Sequence, residues 1–171
     1  MNYGKSGNVS DRRWVVNASP LIVLADIECL SFLVSLCADV IVPSAVAQEI
    51  YAGPTKDAAQ RWLGGEGQAF IREVQMLDPT ILAWGLGAGE SQVLTWARQN
   101  PGYEAILDDR AARNCAITLG ILVRGTLGIV LLAKREGLIP RVRPVFEQLL
   151  EAGLRIAPGV LDMALDLAGE Q

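Results

Sequence analysis

The chain predicts an α/β protein, a three-layer α/β/α sandwich around a mostly parallel central sheet. Three observations predict it. Short apolar runs alternate with stretches of helical periodicity along nearly the whole sequence. The segments between successive runs are long enough for helical crossovers, which parallel strands require. At 171 residues, 51% of them apolar, the chain also suffices for one domain with a substantial core.

The elements follow in order. Trp14-Val15-Val16 is a short buried strand, residues 20–36 form one helix or two short ones, and Val40-Ile41-Val42 is a second strand. Pro43 is tolerated at a helix start and opens a helix over 44–51, which Gly53-Pro54 ends. Residues 58–63 form another short helix and Gly64-Gly65-Glu66-Gly67 a loop. Residues 70–74 read as a strand whose Arg72 and Glu73 suit an edge. Gly85-Leu86-Gly87-Ala88-Gly89 leads into an amphipathic helix over 90–98, stopped by Asn100-Pro101-Gly102. Residues 104–107 are a strand running into Asp108-Asp109, and a helix over 110–119 is closed by Gly120. Ile121-Leu122-Val123 is a further strand. Gly125-Thr126 starts a helix reaching about Glu136, residues 144–151 form another, and Leu154-Arg155-Ile156 is a last strand before a terminal helix from Pro158. Residues 1–13, rich in Gly, Ser and Asn, read as a flexible lead-in; 14–157 form the domain, and 158–171 a C-terminal helix packed on it.

Composition narrows the function classes. Cys29, Cys37 and Cys115 form no C-x-x-C pair and lie in apolar or helical stretches, so they read as reduced, buried thiols. No run approaches the roughly 18 to 20 apolar residues of a membrane span, and the first residues lack the apolar core of a signal peptide. A cytoplasmic protein is expected. Charge is uneven: residues 1–109 carry 7 Lys/Arg against 13 Asp/Glu, whereas 110–155 carry 8 against 3. That basic block, with Arg110, Arg113 and Arg124 in its first part, can hold a phosphate backbone on a protein whose net charge is −4.

The chemistry lies in oxygen ligands. The chain has no histidine. Acidic or amide residues nevertheless fall where an α/β sheet gathers functional groups, at the carboxyl ends of its strands. Asn17 follows the first strand and Asp108-Asp109 follow another. Glu90 opens a helix antiparallel to the 104–107 strand, and so lies at the same edge. Glu49 sits in the second turn of its helix, roughly 9 Å below a start at Pro43 at 1.5 Å per residue, so only a tilted helix brings it in. Taken singly, Glu90 would complement a helix dipole and Asp108 or Asp109 would cap a helix. Together they would repel one another unless a cation sat between them, and hard oxygen ligands suit Mg²⁺ or Mn²⁺. Two other classes compete. A nucleotide-binding or phosphoacceptor module lacks its Gly-rich loop ending in Gly-Lys-Ser/Thr and a lysine near Asp108. A pure interaction protein would use Trp62, Trp84 and Trp96 for oligomer contacts, although core packing is the preferred reading of such residues because Trp is normally largely buried.

Five segments carry a resemblance: residues 15–22 (Val-Val-Asn-Ala-Ser-Pro-Leu-Ile), 42–46 with Glu49-Ile50, 86–90 (Leu-Gly-Ala-Gly-Glu), 107–113 (Leu-Asp-Asp-Arg-Ala-Ala-Arg) and 125–128 (Gly-Thr-Leu-Gly). Together they resemble PIN-domain proteins, in particular the prokaryotic VapC-like branch, over about residues 14–157. The resemblance implies a PIN-like α/β/α fold and a Mg²⁺- or Mn²⁺-dependent endoribonuclease, the toxin of a toxin–antitoxin pair. RNA is then the substrate, with an antitoxin protein and a homodimer as possible partners. It carries the family's four acidic positions onto Asn17, Glu49, Glu90 and Asp109, with Asp108 as the near alternative to the last. Catalytic roles fall to Glu49, Glu90, Asp109 and Asp108, and metal ligation to Asn17, Glu90 and Asp109. Ser19 and Thr126 support them; Arg110, Arg113 and Arg124 would hold RNA. Asn17 departs from the family's acid, which lowers the expected metal affinity and leaves open a protein that binds RNA or a partner without efficient cleavage.

Overall fold

The computed structural model describes residues 7–54 and 57–171. Five parallel strands, β1 (Arg13–Val16), β2 (Asp39–Pro43), β3 (Ile71–Arg72), β4 (Tyr103–Ile106) and β5 (Val123–Arg124), form one sheet in the order β3-β2-β1-β4-β5. Its central strands are near-continuous apolar runs because helices cover both faces, giving the three-layer α/β/α fold. Trp14, Val15, Val16, Val42, Ile106 and Leu107 are wholly buried.

The crossovers are α1 (Ala18–Asp26) and α2 (Ser31–Leu36), then α3 (Ser44–Tyr51) and α4 (Ala58–Gly64), then α5 (Pro79–Leu82) and α6 (Ala88–Gln99), and α7 (Arg110–Thr118). After β5 come α8 (Thr126–Arg135), α9 (Arg143–Glu151) and α10 (Val160–Leu167). From β1 the chain builds outward to β2 and β3, then returns to build β4 and β5 on the other side. The ends of β1 and β4 therefore flank the topological switch point, where open α/β sheets place their ligands. The amide of Asn17 donates to Ile106 O at 3.1 Å, tying those two ends together.

Most expected elements are present, with four differences. Residues 66–70 form a 3₁₀ turn (Glu66–Phe70) rather than a loop, steadied by Trp62 stacked on Phe70 at 5.7 Å. Helix α5 arises where no helix was expected, with Pro79 at its start and Asp78 accepting from the Thr80 amide. β5 is shifted to Val123–Arg124, because the amide of Ile121 is spent on Ala116 O in closing α7. The expected strand at 154–156 is absent: the Leu154 amide bonds back to Leu149 O, and the segment pairs with no strand. Of the expected lead-in, residues 1–6 lie outside the described residues; from Gly7 onward, Val9–Asp11 makes one 3₁₀ turn. Arg12 is buried, pairing with Glu136 at 2.8 Å. Cys29, Cys37 and Cys115 are free thiols. Trp96 packs edge-on against Tyr103, while Trp84 is 39% exposed. No helix among the described residues is long and apolar enough to cross a membrane.

Candidate functional site

Asn17, the residue that ends β1, is also the cap position of α1, yet its side chain makes no capping bond. It is 2% exposed, and its Nδ2 donates to Glu90 Oε1 at 3.3 Å. Its Oδ1 is buried without a hydrogen-bond partner. A buried carbonyl oxygen left unpaired costs about 1–3 kcal/mol, so the fold keeps it there at the expense of stability.

Glu90 reaches Asn17 from the first turn of α6, whose start is held at the carboxyl edge by the Gly85–Gly89 approach. Gly85 takes φ +67°, a backbone turn suited to glycine. The two following glycines leave room for acid side chains. A methyl group on Gly87 would lie 2.5 Å from Glu90 Oε2. One on Gly89 would meet Glu49 Oε2 at 2.9 Å, Asn17 Oδ1 at 3.2 Å and Val46 Cγ2 at 3.4 Å. Gly89 therefore marks the hollow that Asn17 and Glu49 share.

This contact also explains how Glu49 arrives from the second turn of α3. Val46 and Glu49 are one turn apart on the same helix face, and α6 packs across that face with Gly89 against both. Gln92 fixes the crossing, its Oε1 accepting from the Ala45 amide at 2.9 Å and the Ser44 hydroxyl at 3.4 Å. Partial burial, and then the Glu90 charge, push the Glu49 carboxyl above its ordinary pKa.

The other two acids stand at the same edge but are turned to different work. Asp108 is largely sheltered, and both its oxygens are taken by Thr126: the Thr126 amide donates to Oδ1 at 2.8 Å and the hydroxyl to Oδ2. Burial raises the Asp108 pKa, opposed by those two bonds and by the Arg113 guanidinium. Asp109 is exposed and caps α7, with Oδ2 accepting from the Ala112 amide at 2.9 Å. Asn17, Glu49 and Glu90 are thus brought together, whereas Asp108 belongs to a second, adjacent constellation with Thr126 and Arg113.

The supporting residues divide likewise. Thr126 is wholly buried against Asp108, but Ser19 is exposed and makes no hydrogen bond with Asn17. Arg113 donates to Leu107 O at 3.0 Å and Arg124 pairs with Glu104 at 2.8 Å, which leaves Arg110 as the exposed cation nearest the acids along the chain. Gly89 and Gln92 escaped sequence reasoning. The glycine directly before Glu90 was a signal for a close approach, but nothing in a single sequence marks Gln92.

The donor set fits a hard divalent cation. It consists of oxygen atoms alone, two carboxylates and an amide carbonyl, with the carbonyl unpaired and one glutamate pushed toward its neutral form by partial burial and then by the Glu90 charge. It is not a cluster of acids alone, and no group of three His, Cys, Asp or Glu among the described residues has the geometry of a metal site.

A family described as a PIN domain matches residues 13–170 of this sequence. The chain belongs to that family. PIN domains are in general metal-dependent nucleases, and the Asn17–Glu90 cluster of this PIN domain lies at the switch point of its sheet, where open α/β sheets place ligands. No curated protein matches the chain.

Proposed function

We propose that this PIN domain is a divalent-metal-dependent endoribonuclease of the cytoplasm, the toxin of a toxin–antitoxin pair. The observation that carries the reading is the orphaned Asn17 Oδ1, buried beside Glu49 and Glu90 over the bare backbone of Gly89. Glu90, Glu49 and the Asn17 carbonyl would hold Mg²⁺ or Mn²⁺. Bound there, the ion would offset their repulsion, orient a phosphate and acidify an attacking water.

The residues of the chain do the rest. Asn17 positions Glu90 through its Nδ2 hydrogen bond. Asp109, open to solvent, fills the family's fourth position and supplies a third carboxylate besides Glu49 and Glu90. Asp108 and Thr126 lock the start of α8 to the end of β4, which fixes the floor over which RNA would run. Arg110, and Arg113 and Arg124 behind it, add positive charge to that path. The motif resemblance to the VapC-like branch supports the toxin role, with an antitoxin and a second copy as the partners it implies.

Incubating the purified chain with end-labelled single-stranded RNA tests the reading. We expect slow cleavage with Mn²⁺ or Mg²⁺, none in EDTA, and a loss of at least ~100-fold for Glu90→Ala, as for removal of a residue acting in the transition state. Cleavage unchanged in EDTA would refute it. A second reading, a PIN domain that binds RNA or a protein without cutting, is favoured by the uncharged Asn17 and the lack of a three-acid cluster among the described residues. RNA retained on the chain with no cleavage in Mn²⁺ would decide for that alternative.

A further inference from the structure

The outer edge of β5 borders a groove of about 910 Å³, walled on one side by α7 and on the other by the segment at 154–157. We propose that this groove is a docking site for an extended acidic peptide of a partner protein, taken up as a sixth strand on the free edge of β5.

The backbone supplies the first argument. β5 ends the sheet, and its Leu122 and Arg124 carbonyls accept from Ala105 and Leu107 of the β4 segment. Since successive residues of a strand alternate their hydrogen-bonding sides, the N–H and C=O of Val123 point away from the sheet. No hydrogen bond among the described residues covers them. The neighbouring 154–156 segment does not pair with it, so among the described residues the edge has a wall but no strand.

Side chains supply the second. Ile117 and Leu122, which line the groove, are 65% and 62% exposed, the largest exposures among the described large apolar residues except Met76. Apolar side chains beside an open edge are the features a β-augmenting peptide uses, backbone for affinity and alternate side chains for specificity.

Charge chooses the occupant. The lining holds six arginines and three carboxylates, on a chain whose net charge is −4. Two of those carboxylates are committed internally, Glu104 to Trp14 and Arg124, and Asp108 to Thr126. Arg110 and Arg155 are exposed and make no ion pair among the described residues. A second copy pairing edge to edge would bring these arginines against each other. RNA would favour exposed rings for its bases, and among the described residues the one aromatic in the lining, Trp14, is fully buried. An acidic peptide with alternating apolar side chains satisfies all three features; since Arg110, Arg113 and Arg124 also flank the proposed RNA path, the peptide would compete with RNA at that end of the groove, whereas Arg155 and the Val123 edge belong to the peptide alone.

Panning the full chain against displayed random eight-residue peptides is the test, followed by fluorescence anisotropy with one enriched peptide. We expect enriched sequences that alternate Asp or Glu with apolar residues, binding at least ~10-fold weaker to Arg155→Glu, and a Val123 amide whose hydrogen exchange slows on binding. Val123→Pro, which removes the outward N–H without deleting a ladder bond to the β4 segment, should also weaken binding; if its ring strains the strand and the chain fails to fold, Arg155→Glu and the exchange readout decide. Enriched peptides lacking acids, unchanged affinity for Arg155→Glu, or an unprotected Val123 amide would each overturn the proposal. So would a twelve-residue oligouridylate that binds with the same dependence on Arg155 while no peptide is enriched.

Discussion

Replacing Asn17 by Asp restores the family's acid and turns the proposed metal site into a measurable electrostatic problem. In the native chain Asn17 donates to Glu90 Oε1 at 3.3 Å; in the variant a carboxylate oxygen would face Glu90 at that separation, with Glu49 beside both. Two like charges about 4 Å apart repel by about 4 kcal/mol at an effective dielectric constant of ~20. The residue is 2% exposed, so solvent relieves little of this. The cluster escapes part of the cost by holding a proton, and each unit of raised pKa is worth about 1.4 kcal/mol.

A loss of about 2–4 kcal/mol at neutral pH without metal therefore follows, or roughly 5–15 °C in Tm at about 2–4 °C per kcal/mol for a chain of this size. The penalty belongs to a carboxyl whose folded pKa lies above its unfolded value. The native state then binds more protons than the unfolded state, so stability falls as pH rises through that window and the loss vanishes below pH about 4. Adding Mn²⁺ should raise the variant's Tm by more than it raises that of the native chain, since a site charged −3 holds the ion more tightly than one charged −2. Calorimetric melts at pH 4 and pH 7.5, each with Mn²⁺ or EDTA, check this. An Asn17→Asp protein as stable as the native chain at pH 7.5 in EDTA, with no extra gain from Mn²⁺, would refute the idea that these three side chains share one pocket.

Four further outcomes are expected. Glu49→Gln should raise the metal-free Tm at pH 7.5 and leave it unchanged below pH 4, because the Glu49 pKa is raised by partial burial and Glu90, and it should depress RNA cleavage. Gly89→Ala, whose methyl would intrude on Glu49 Oε2 and Asn17 Oδ1, should weaken Mn²⁺ binding at least ~10-fold in titration calorimetry, without the stability loss of an unfolding variant, since alanine gains up to about 1 kcal/mol over glycine in a helix. Thr126→Val removes one of two bonds to a sheltered carboxylate and should cost about 1.5–3 kcal/mol by denaturant melt. Glu170, held at a pKa of about 2 mainly by Lys134, contributes stability that is present above its unfolded value and lost as pH falls toward 2; Glu170→Ala should flatten that acid limb of the Tm profile.

How much of this was legible in the sequence follows from the range of the forces involved. Strong local signals placed β1, α3, α4 and α6 almost to the residue, because apolar periodicity and Pro or Gly punctuation act within a few positions. The failures came where a distant partner decides. Leu154-Arg155-Ile156 has a strand's composition, yet its amide is drawn back into the turn closing α9, and a strand exists only if a neighbour pairs with it. The loop expected at 64–67 closes into a 3₁₀ turn because Trp62 stacks on Phe70 and lies over Gly67, where a side chain would collide with the ring.

The site shows the same division more sharply. Topology alone put Asn17, Glu90 and Asp108-Asp109 at one sheet edge, since residues after parallel strands have nowhere else to go. It could not say which way the side chains turn. Asp108 and Asp109 are adjacent in sequence and chemically alike, but Thr126 takes both oxygens of one, whereas the Ala112 amide takes a single oxygen of the other. Glu49 was the reverse case: helix arithmetic placed it too deep, and the missing term was α6 crossing α3 at a glycine, which brings the cluster down to the glutamate. The acids gather because α6 can approach α3 without a side chain at position 89, and the buried Asn17 carbonyl stays unpaired because that approach leaves a hollow beside it.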